Sequence, residues 1–178
     1  EAFVHDPQTL EYFFRHFDRP SGFPSLASMV SEGLEVPAAS EFSDDLKQLA
    51  KSVIAAGPPE WGEREIQSAR YAITDLIEDM KDPRSVRELH ATATALYPSL
   101  ANYYFRSQNL WSAKSKTIPR RLKKIDSAFA ERFLESFERV FTQNCTQQLF
   151  LLVEEMLEPQ GGFLFEGYTL DAPESWRV

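Results

Sequence analysis

The sequence predicts an all-α protein, folded as an antiparallel helical bundle, and three observations support this prediction. Apolar residues recur every three to four positions through most of the 178 residues, as they do along one face of a helix. Asp, Ser, Gly and Pro, which begin or end helices, separate these stretches by short connections. Apolar residues make up 43% of the chain, enough to bury a core, and almost no stretch alternates as a strand does.

The first third is predicted to hold a strand remnant and three helices. "EAFV" alternates like a strand, and the Asp-Pro pair that follows predicts a helix over residues 7–17. A short helix, "PSLASMVSE", is expected to stop at Gly33. We expect Ser43 to cap the third helix and Gly57 to end it.

Two longer helices are predicted in the middle of the chain. "EREIQSARYAITDLIEDMK" has apolar residues close to the ideal helical period. The pair Asp82 and Pro83 is expected to open the next helix. Pro98 should kink or split that helix, because proline removes a backbone donor and clashes with the preceding turn.

The C-terminal part is predicted to contain further helices and an irregular tail. Asp126 is expected to cap "SAFAERFLESFERVF", and the last helix should end at residues 159–162. The tail, "FLFEGYTLDAPESWRV", is too short for a domain. We expect it to pack back over the bundle.

Composition limits the classes of function. With 27 acidic and 19 basic residues the net charge is −8, which argues against binding of duplex nucleic acid. The single cysteine, Cys145, excludes an internal disulfide. No signal peptide and no apolar run near 18 residues are present, so we expect a cytoplasmic protein without a membrane partner.

Positive charge is concentrated in residues 106–125, called here the basic segment. Seven of the 19 basic residues lie in it and no acidic residue does, so the rest of the chain carries 12 basic against 27 acidic residues. The seven are Arg106, Lys114, Lys116, Arg120, Arg121, Lys123 and Lys124.

The basic segment has the pattern of a phosphate site at the start of a helix. The spacing of Ile118, Leu122 and Ile125 predicts a short amphipathic helix, which places the lysines at 114 and 116 beside its N-terminus. Hydroxyl groups and an indole lie close by in sequence. The predicted phosphate-binding residues are Arg106, Trp111, Ser112, Lys114, Ser115 and Lys116. The alternative is a solvated basic helix that offsets the acidic remainder.

Two other patterns carry weaker indications. In "DLIEDM", Asp75 and Glu78 share a helix face and could position an amine or a cation, although such carboxylates usually form a solvated surface. Arg84 stands six residues before His90, a spacing that fits helical ribonucleases, but a capped helix start with a surface histidine explains it as well. No histidine or cysteine spacing indicates a zinc site.

Four segments resemble one protein family: "EAFVHDPQTLEYFF", "ARYAITDLIEDMKDP", "FRSQNLWSAKSKTIPRRL" and "PQGGFLFEGY". Together they resemble the C-terminal part of bacterial nucleotidyltransferase-domain proteins, whose architecture is similar to that of kanamycin and streptomycin nucleotidyltransferases. The resemblance implies a helical, HEPN-like substrate-binding domain over residues 6–178, and the end of the last strand of a catalytic domain over residues 1–5. We therefore expect the chain to be part of a longer protein.

The resemblance also implies roles for individual residues. Glu1 resembles the third catalytic carboxylate, which would help to hold Mg²⁺, while the lysines at 114 and 116 resemble a segment that approaches the nucleotide. By analogy, Tyr71, Asp75 and Glu78 would face the acceptor substrate. Ser115 stands where related sequences tend to have glycine. The family's Gly-Ser turn and Asp-x-Asp motif are absent, so the chain alone is expected to be inactive.

The implied reaction of the parent protein is transfer of a nucleoside monophosphate from a nucleoside triphosphate to a hydroxyl acceptor, with Mg²⁺ as cofactor. The implied partners are the nucleotide, the acceptor and the catalytic domain, with a second copy of the chain as a further option. Two alternatives remain: a HEPN-like ribonuclease or toxin–antitoxin component, and a plain dimerisation or interaction domain.

Overall fold

The computed structural model describes residues 4–170, 172 and 174–176. In these residues the regular secondary structure is helical and includes no strand, which confirms the all-α prediction. The antiparallel arrangement stays a prediction. Residues 1–3 lie outside the described part, and Val4 and His5 have no regular secondary structure, so the strand predicted over residues 1–5 is not tested there.

The chain divides into two compact units. The first comprises residues 1–61 and 104–118, and the second comprises residues 62–103 and 119–178. Each unit is described by itself below.

The first unit begins with a helix that extends beyond its predicted end. Asp6 caps α1 (Pro7–Phe13), accepting a hydrogen bond from the Thr9 N–H at 2.7 Å. A π-helical turn (Phe14–Asp18) and α2 (Arg19–Ser21) continue it, where residues 19–22 were expected to lie outside the helix. Pro20 is the second residue of α2, directly after the π-helical turn, and Gly22 ends the helix in a left-handed conformation at φ 74°.

Two further helices complete the first unit: α3 (Ser25–Glu32) and α4 (Glu41–Ala56). The predicted cap of α4 was wrong, because Ser40 is the cap and Ser43 lies inside the first turn. The two serines form a reciprocal capping box, in which the Ser40 hydroxyl accepts from the Ser43 N–H at 3.2 Å and the Ser43 hydroxyl accepts from the Ser40 N–H at 2.9 Å. Gly57 ends α4, as predicted.

The core of the first unit joins the first helix to α3 and α4. Its buried members come from all three segments, two from the first helix and two from α4 at helical spacings and one from α3. They are Leu10, Phe14, Ala27, Ala50 and Val53.

The second unit begins with α5 (Glu63–Lys81), which has the predicted bounds. The helix that follows, α6 (Val86–Arg106), begins later than Asp82 and Pro83 suggested, because the Ser85 hydroxyl accepts from the Glu88 N–H at 3.2 Å and marks the helix start. Residues 104–106 of α6 are counted with the first unit. Pro98 does not split α6.

Three more helices follow: α7 (Ile118–Ile125), α8 (Ser127–Gln143) and α9 (Gln147–Leu157). The Asp126 carboxylate accepts from the Phe129 N–H at 2.9 Å, which confirms the predicted cap of α8. Single 3₁₀ turns lie at Ser115–Thr117, Glu158–Gln160 and Glu174–Trp176. Aromatic edges contact one another in the core, with Tyr97 4.8 Å from Phe137 between ring centroids.

Part of the tail packs against α5, as predicted. The Arg70 Nε donates to the Gly162 carbonyl at 2.8 Å, and the Thr74 hydroxyl accepts from the Leu164 N–H at 3.0 Å. Tyr71 stacks on Tyr168 with 4.4 Å between ring centroids. Other apolar side chains of the tail remain exposed, namely Phe163, Phe165, Leu170 and Trp176.

Candidate functional site

The first half of the basic segment is a loop that the first unit holds at several points. Asn109 is left-handed at φ 56° in the turn that follows α6, and the Leu110 N–H donates to the Phe105 carbonyl at 2.8 Å. The indole N–H of Trp111 then donates to the Ile54 carbonyl at 2.8 Å. These bonds fix the direction in which the chain approaches the lysines.

The turn that carries the two lysines has an unusual backbone. Ser115 lies at φ 46°, in the left-handed region that favours glycine, so the glycine expected from the family resemblance would fit this conformation. The Thr117 hydroxyl accepts from the Lys114 N–H at 3.1 Å and donates to the Lys114 carbonyl at 2.7 Å. The 3₁₀ turn leads directly into α7, which begins at Ile118, as the amphipathic spacing predicts.

Both lysines of the turn are exposed, and in the described part of the chain neither forms an ion pair. The Lys114 ammonium lies 4.1 Å from the centre of the Phe23 ring, a cation–π contact rather than an ion pair. By contrast, Lys123 in α7 pairs with Glu131 at 3.0 Å. The turn therefore presents two positive charges that are available to an anion.

Arg106, at the end of α6, is buried with only 4% of its surface exposed. Its Nη2 donates to the Pro59 carbonyl at 2.6 Å, and its guanidinium carbon lies 5.5 Å from the centre of the Trp61 ring. Burial lowers the pKa of this guanidinium below its ordinary value. Among the described residues no carboxylate forms an ion pair with it, and Nη1 is buried without a hydrogen-bond partner.

Ser112 is also buried, with 5% exposure, and its hydroxyl has no hydrogen-bond partner in the described structure. Its backbone N–H donates to the Gly22 carbonyl at 2.8 Å. Gly22 also touches Arg106, since a Cβ added at this glycine would lie 3.0 Å from Nη1. Two orphaned polar groups, the Arg106 Nη1 and the Ser112 hydroxyl, thus belong to residues that pack on the same glycine.

The first unit also contains a buried carboxylate, that of Asp18. Asp18 is 3% exposed and accepts from the Ala27 N–H at 2.8 Å, at the start of α3. Burial raises the pKa of Asp18 above its ordinary value of 3.8, while the N–H groups at the start of α3 and the charge of Lys114 act to lower it. The Asp18 carboxylate therefore occupies the N-terminal end of α3, where a helix favours negative charge.

The structure places all six predicted phosphate-binding residues in the first unit but gives them different environments. Lys114, Ser115 and Lys116 are exposed, whereas Arg106, Trp111 and Ser112 are buried. The sequence prediction missed the residues that surround them, because these lie far away along the chain and follow no recognisable spacing. They are Gly22, Phe23, Pro59 and Trp61.

The predicted acceptor-binding residues lie on α5 in the second unit. Tyr71 stacks against the tail, Asp75 is exposed, and Glu78 pairs with Lys81 at 2.5 Å. Glu78 also borders an open groove of about 610 Å³. Its other lining residues are Asp79, Asp82, Pro83, Arg84, Glu88, Ala91 and Thr92. The groove is acidic, and Asp75 is not part of its lining.

The residues of the ribonuclease alternative have other partners. The His90 Nε2 lies 3.0 Å from the Asn144 Oδ1, and its ring contacts Phe141 edge-on. The Arg84 backbone N–H donates to the Glu88 carboxylate at 3.1 Å. None of these contacts joins Arg84 to His90.

No group of three or more His, Cys, Asp or Glu side chains within the described ranges could hold a metal ion. Glu1, the predicted carboxylate for Mg²⁺, lies outside the described residues. In that same part of the chain, none of the helices has both the length and the apolarity needed to cross a membrane.

The chain matches no family model, and neither the curated proteins nor the solved structures include a significant match to it.

Proposed function

We propose that this chain is the helical, phosphate-binding domain of a nucleotidyltransferase, and that its 114–116 turn binds the phosphates of a nucleoside triphosphate. The observation that carries the proposal is the pair of exposed lysines that form no ion pair among the described residues, in a chain of net charge −8. In such a chain, two lysines close together without ion pairs are a reason to look for an anionic ligand.

The geometry of the turn supports a compact ligand rather than an extended one. The lysines flank a single left-handed residue, Ser115, so both leave the same tight turn of the backbone. One triphosphate would be contacted by both ammonium groups at once. In the parent protein, Mg²⁺ bound with the nucleotide would offset the remaining phosphate charge, and a hydroxyl acceptor would attack the α-phosphate.

The proposal predicts that ATP binds to the chain and that the double change Lys114→Ala and Lys116→Ala weakens binding at least about tenfold, since a hydrogen bond to a charged group contributes about 1.5–3 kcal/mol. Isothermal titration calorimetry with Mg²⁺ and ATP measures this. The matched control is Lys51→Ala with Arg87→Ala, which removes the same charge from exposed helix positions. Equal affinity in both double variants would remove the phosphate role of the turn.

A further inference from the structure

We propose that Arg106 and Ser112 form a closed oxyanion site in the first unit, which a phosphate group enters when the 57–61 turn moves outwards. The proposal deepens the proposed function, since it rests on the first unit binding a phosphate-bearing ligand, and it adds residues and a movement that the 114–116 turn does not require. The Arg106 guanidinium is a buried charge without an ion-pair partner among the described residues. A buried guanidinium normally has a carboxylate or phosphate partner, because removing a charge from water is costly unless it is paired.

Neutral groups surround Arg106 at present. Its Nη2 is bonded to the Pro59 carbonyl and its face lies near the Trp61 ring, so a backbone dipole and an aromatic quadrupole stand where an anion would bind. Such contacts satisfy a guanidinium less well than the two parallel hydrogen bonds that a carboxylate or phosphate can accept. Both neutral partners belong to one short segment, the turn that follows α4.

The two buried atoms without partners, the Arg106 Nη1 and the Ser112 Oγ, indicate that the site lacks a hydrogen-bond acceptor. The Arg106 Nη1 offers a donor and the Ser112 hydroxyl can donate as well, and the two residues pack on Gly22. An oxyanion with several acceptor oxygens would satisfy both groups, whereas a single carbonyl satisfies one. A buried donor without a partner is destabilising, so each such group calls for an explanation.

Arg70 provides a comparison within the same chain. It too is buried, at 8% exposure, and forms no ion pair among the described residues, but its Nε donates to the Gly162 carbonyl and none of its nitrogens is buried without a partner. A backbone carbonyl therefore serves as the partner of Arg70. Arg106 differs from Arg70 because its Nη1 is buried without a partner, a condition that in the described structure it shares with the Arg121 Nε.

Because neither orphaned atom is exposed to solvent, an oxyanion reaches them only after a local movement, and Pro59 and Trp61, the neutral partners of Arg106, are the groups that it would displace. Binding would therefore change the surroundings of the Trp61 indole. The test uses inorganic pyrophosphate, titrated at constant ionic strength and followed by tryptophan fluorescence and calorimetry. We expect saturable binding, with a fluorescence change that Trp61→Phe abolishes while binding persists.

Two variants test the site itself. Ser112→Ala removes a hydroxyl that has no hydrogen-bond partner in the described structure, so we expect unchanged or raised thermal stability together with about tenfold weaker pyrophosphate binding, the loss expected for a hydrogen bond to a charged group. Arg106→Lys keeps the charge but not the planar donors and should weaken binding further. Thermal denaturation identifies variants that fail to fold. If Arg106→Lys is unstable, the pyrophosphate affinity of Ser112→Ala alone tests the closed site.

The outcomes separate the two proposals. Pyrophosphate binding that is lost with Lys114→Ala and Lys116→Ala but unchanged in Ser112→Ala, without a Trp61 signal, overturns the closed site and leaves the proposed function intact. Pyrophosphate binding with the Trp61 signal but without any binding of ATP supports the closed site and overturns the nucleotide role. No binding of either compound overturns both.

Discussion

Asp18 is the residue at which burial and charge oppose each other most clearly. Its carboxylate accepts backbone N–H bonds at the start of α3, yet burial raises its pKa above 3.8. In the pH range between 3.8 and the raised native value, the native state binds a proton that the unfolded state has released. The contribution of Asp18 to the free energy of unfolding therefore falls as pH rises through that range.

Asp18→Asn should remove this dependence, because asparagine keeps an acceptor for the α3 N–H groups without titrating. We expect the stability difference between wild type and Asp18→Asn to decrease as pH rises from 3.8 upwards. Urea denaturation at a series of pH values measures it, with the exposed Asp45→Asn as the control. A difference that stays constant with pH would show that Asp18 is not the titrating group.

At the scale of elements, the tail depends on two residues of α5. The Thr74 hydroxyl accepts from the Leu164 N–H and donates to the Arg70 carbonyl at 2.8 Å. Glycines occur where the tail contacts Arg70, at positions 161 and 162. Gly161 is left-handed at φ 98°, and a Cβ there would lie 3.3 Å from the Arg70 Nη2. The glycines let the chain approach the guanidinium closely.

Thr74→Val should loosen the tail, because valine keeps the shape of threonine and leaves the Leu164 N–H without its acceptor. We expect a loss of about 1–2 kcal/mol in unfolding free energy and faster hydrogen exchange over residues 161–168. The control is Thr94→Val, where the hydroxyl donates only to the His90 carbonyl one helical turn earlier, on an exposed surface. Equal exchange of the tail in the two variants would contradict the proposed role of Thr74.

Local sequence signals predict most of the helices. The bounds of α5 and the Asp126 cap of α8 follow from periodicity and capping chemistry, which depend on neighbours along the chain. The Ser40 cap was missed because the first turn carries Ser43 rather than the Glu or Gln of a usual capping box. The π turn was missed because it has no comparable signature.

The candidate site was predictable only in part, because some of its contacts join residues that lie far apart along the chain. Charge and helix pattern identify the 114–116 turn, since both are properties of one continuous segment. The surroundings of Arg106 depend on tertiary contacts, with Pro59 distant by 47 positions. Trp61 follows a Gly-Pro-Pro turn and carries no periodic signal, so its place beside the guanidinium appears only in the folded chain.

At the scale of the whole molecule, the distribution of charge decides between two kinds of phosphate ligand. Outside the basic segment the chain carries 12 basic against 27 acidic residues, so a long polyanion that extends beyond the segment would meet repulsion. A nucleotide is small enough to contact the basic segment alone.

We therefore expect ATP to bind to the chain while a DNA duplex of about 20 base pairs shows no measurable binding at about 100 mM salt, since duplex binding requires many phosphate contacts made together. Fluorescence anisotropy with labelled ATP and labelled duplex, each competed with the unlabelled compound, measures both. The variant with Lys114→Ala and Lys116→Ala should lose the ATP signal and leave the duplex result unchanged. Duplex binding tighter than ATP binding, lost in the same variant, would show instead that these lysines serve nucleic acid.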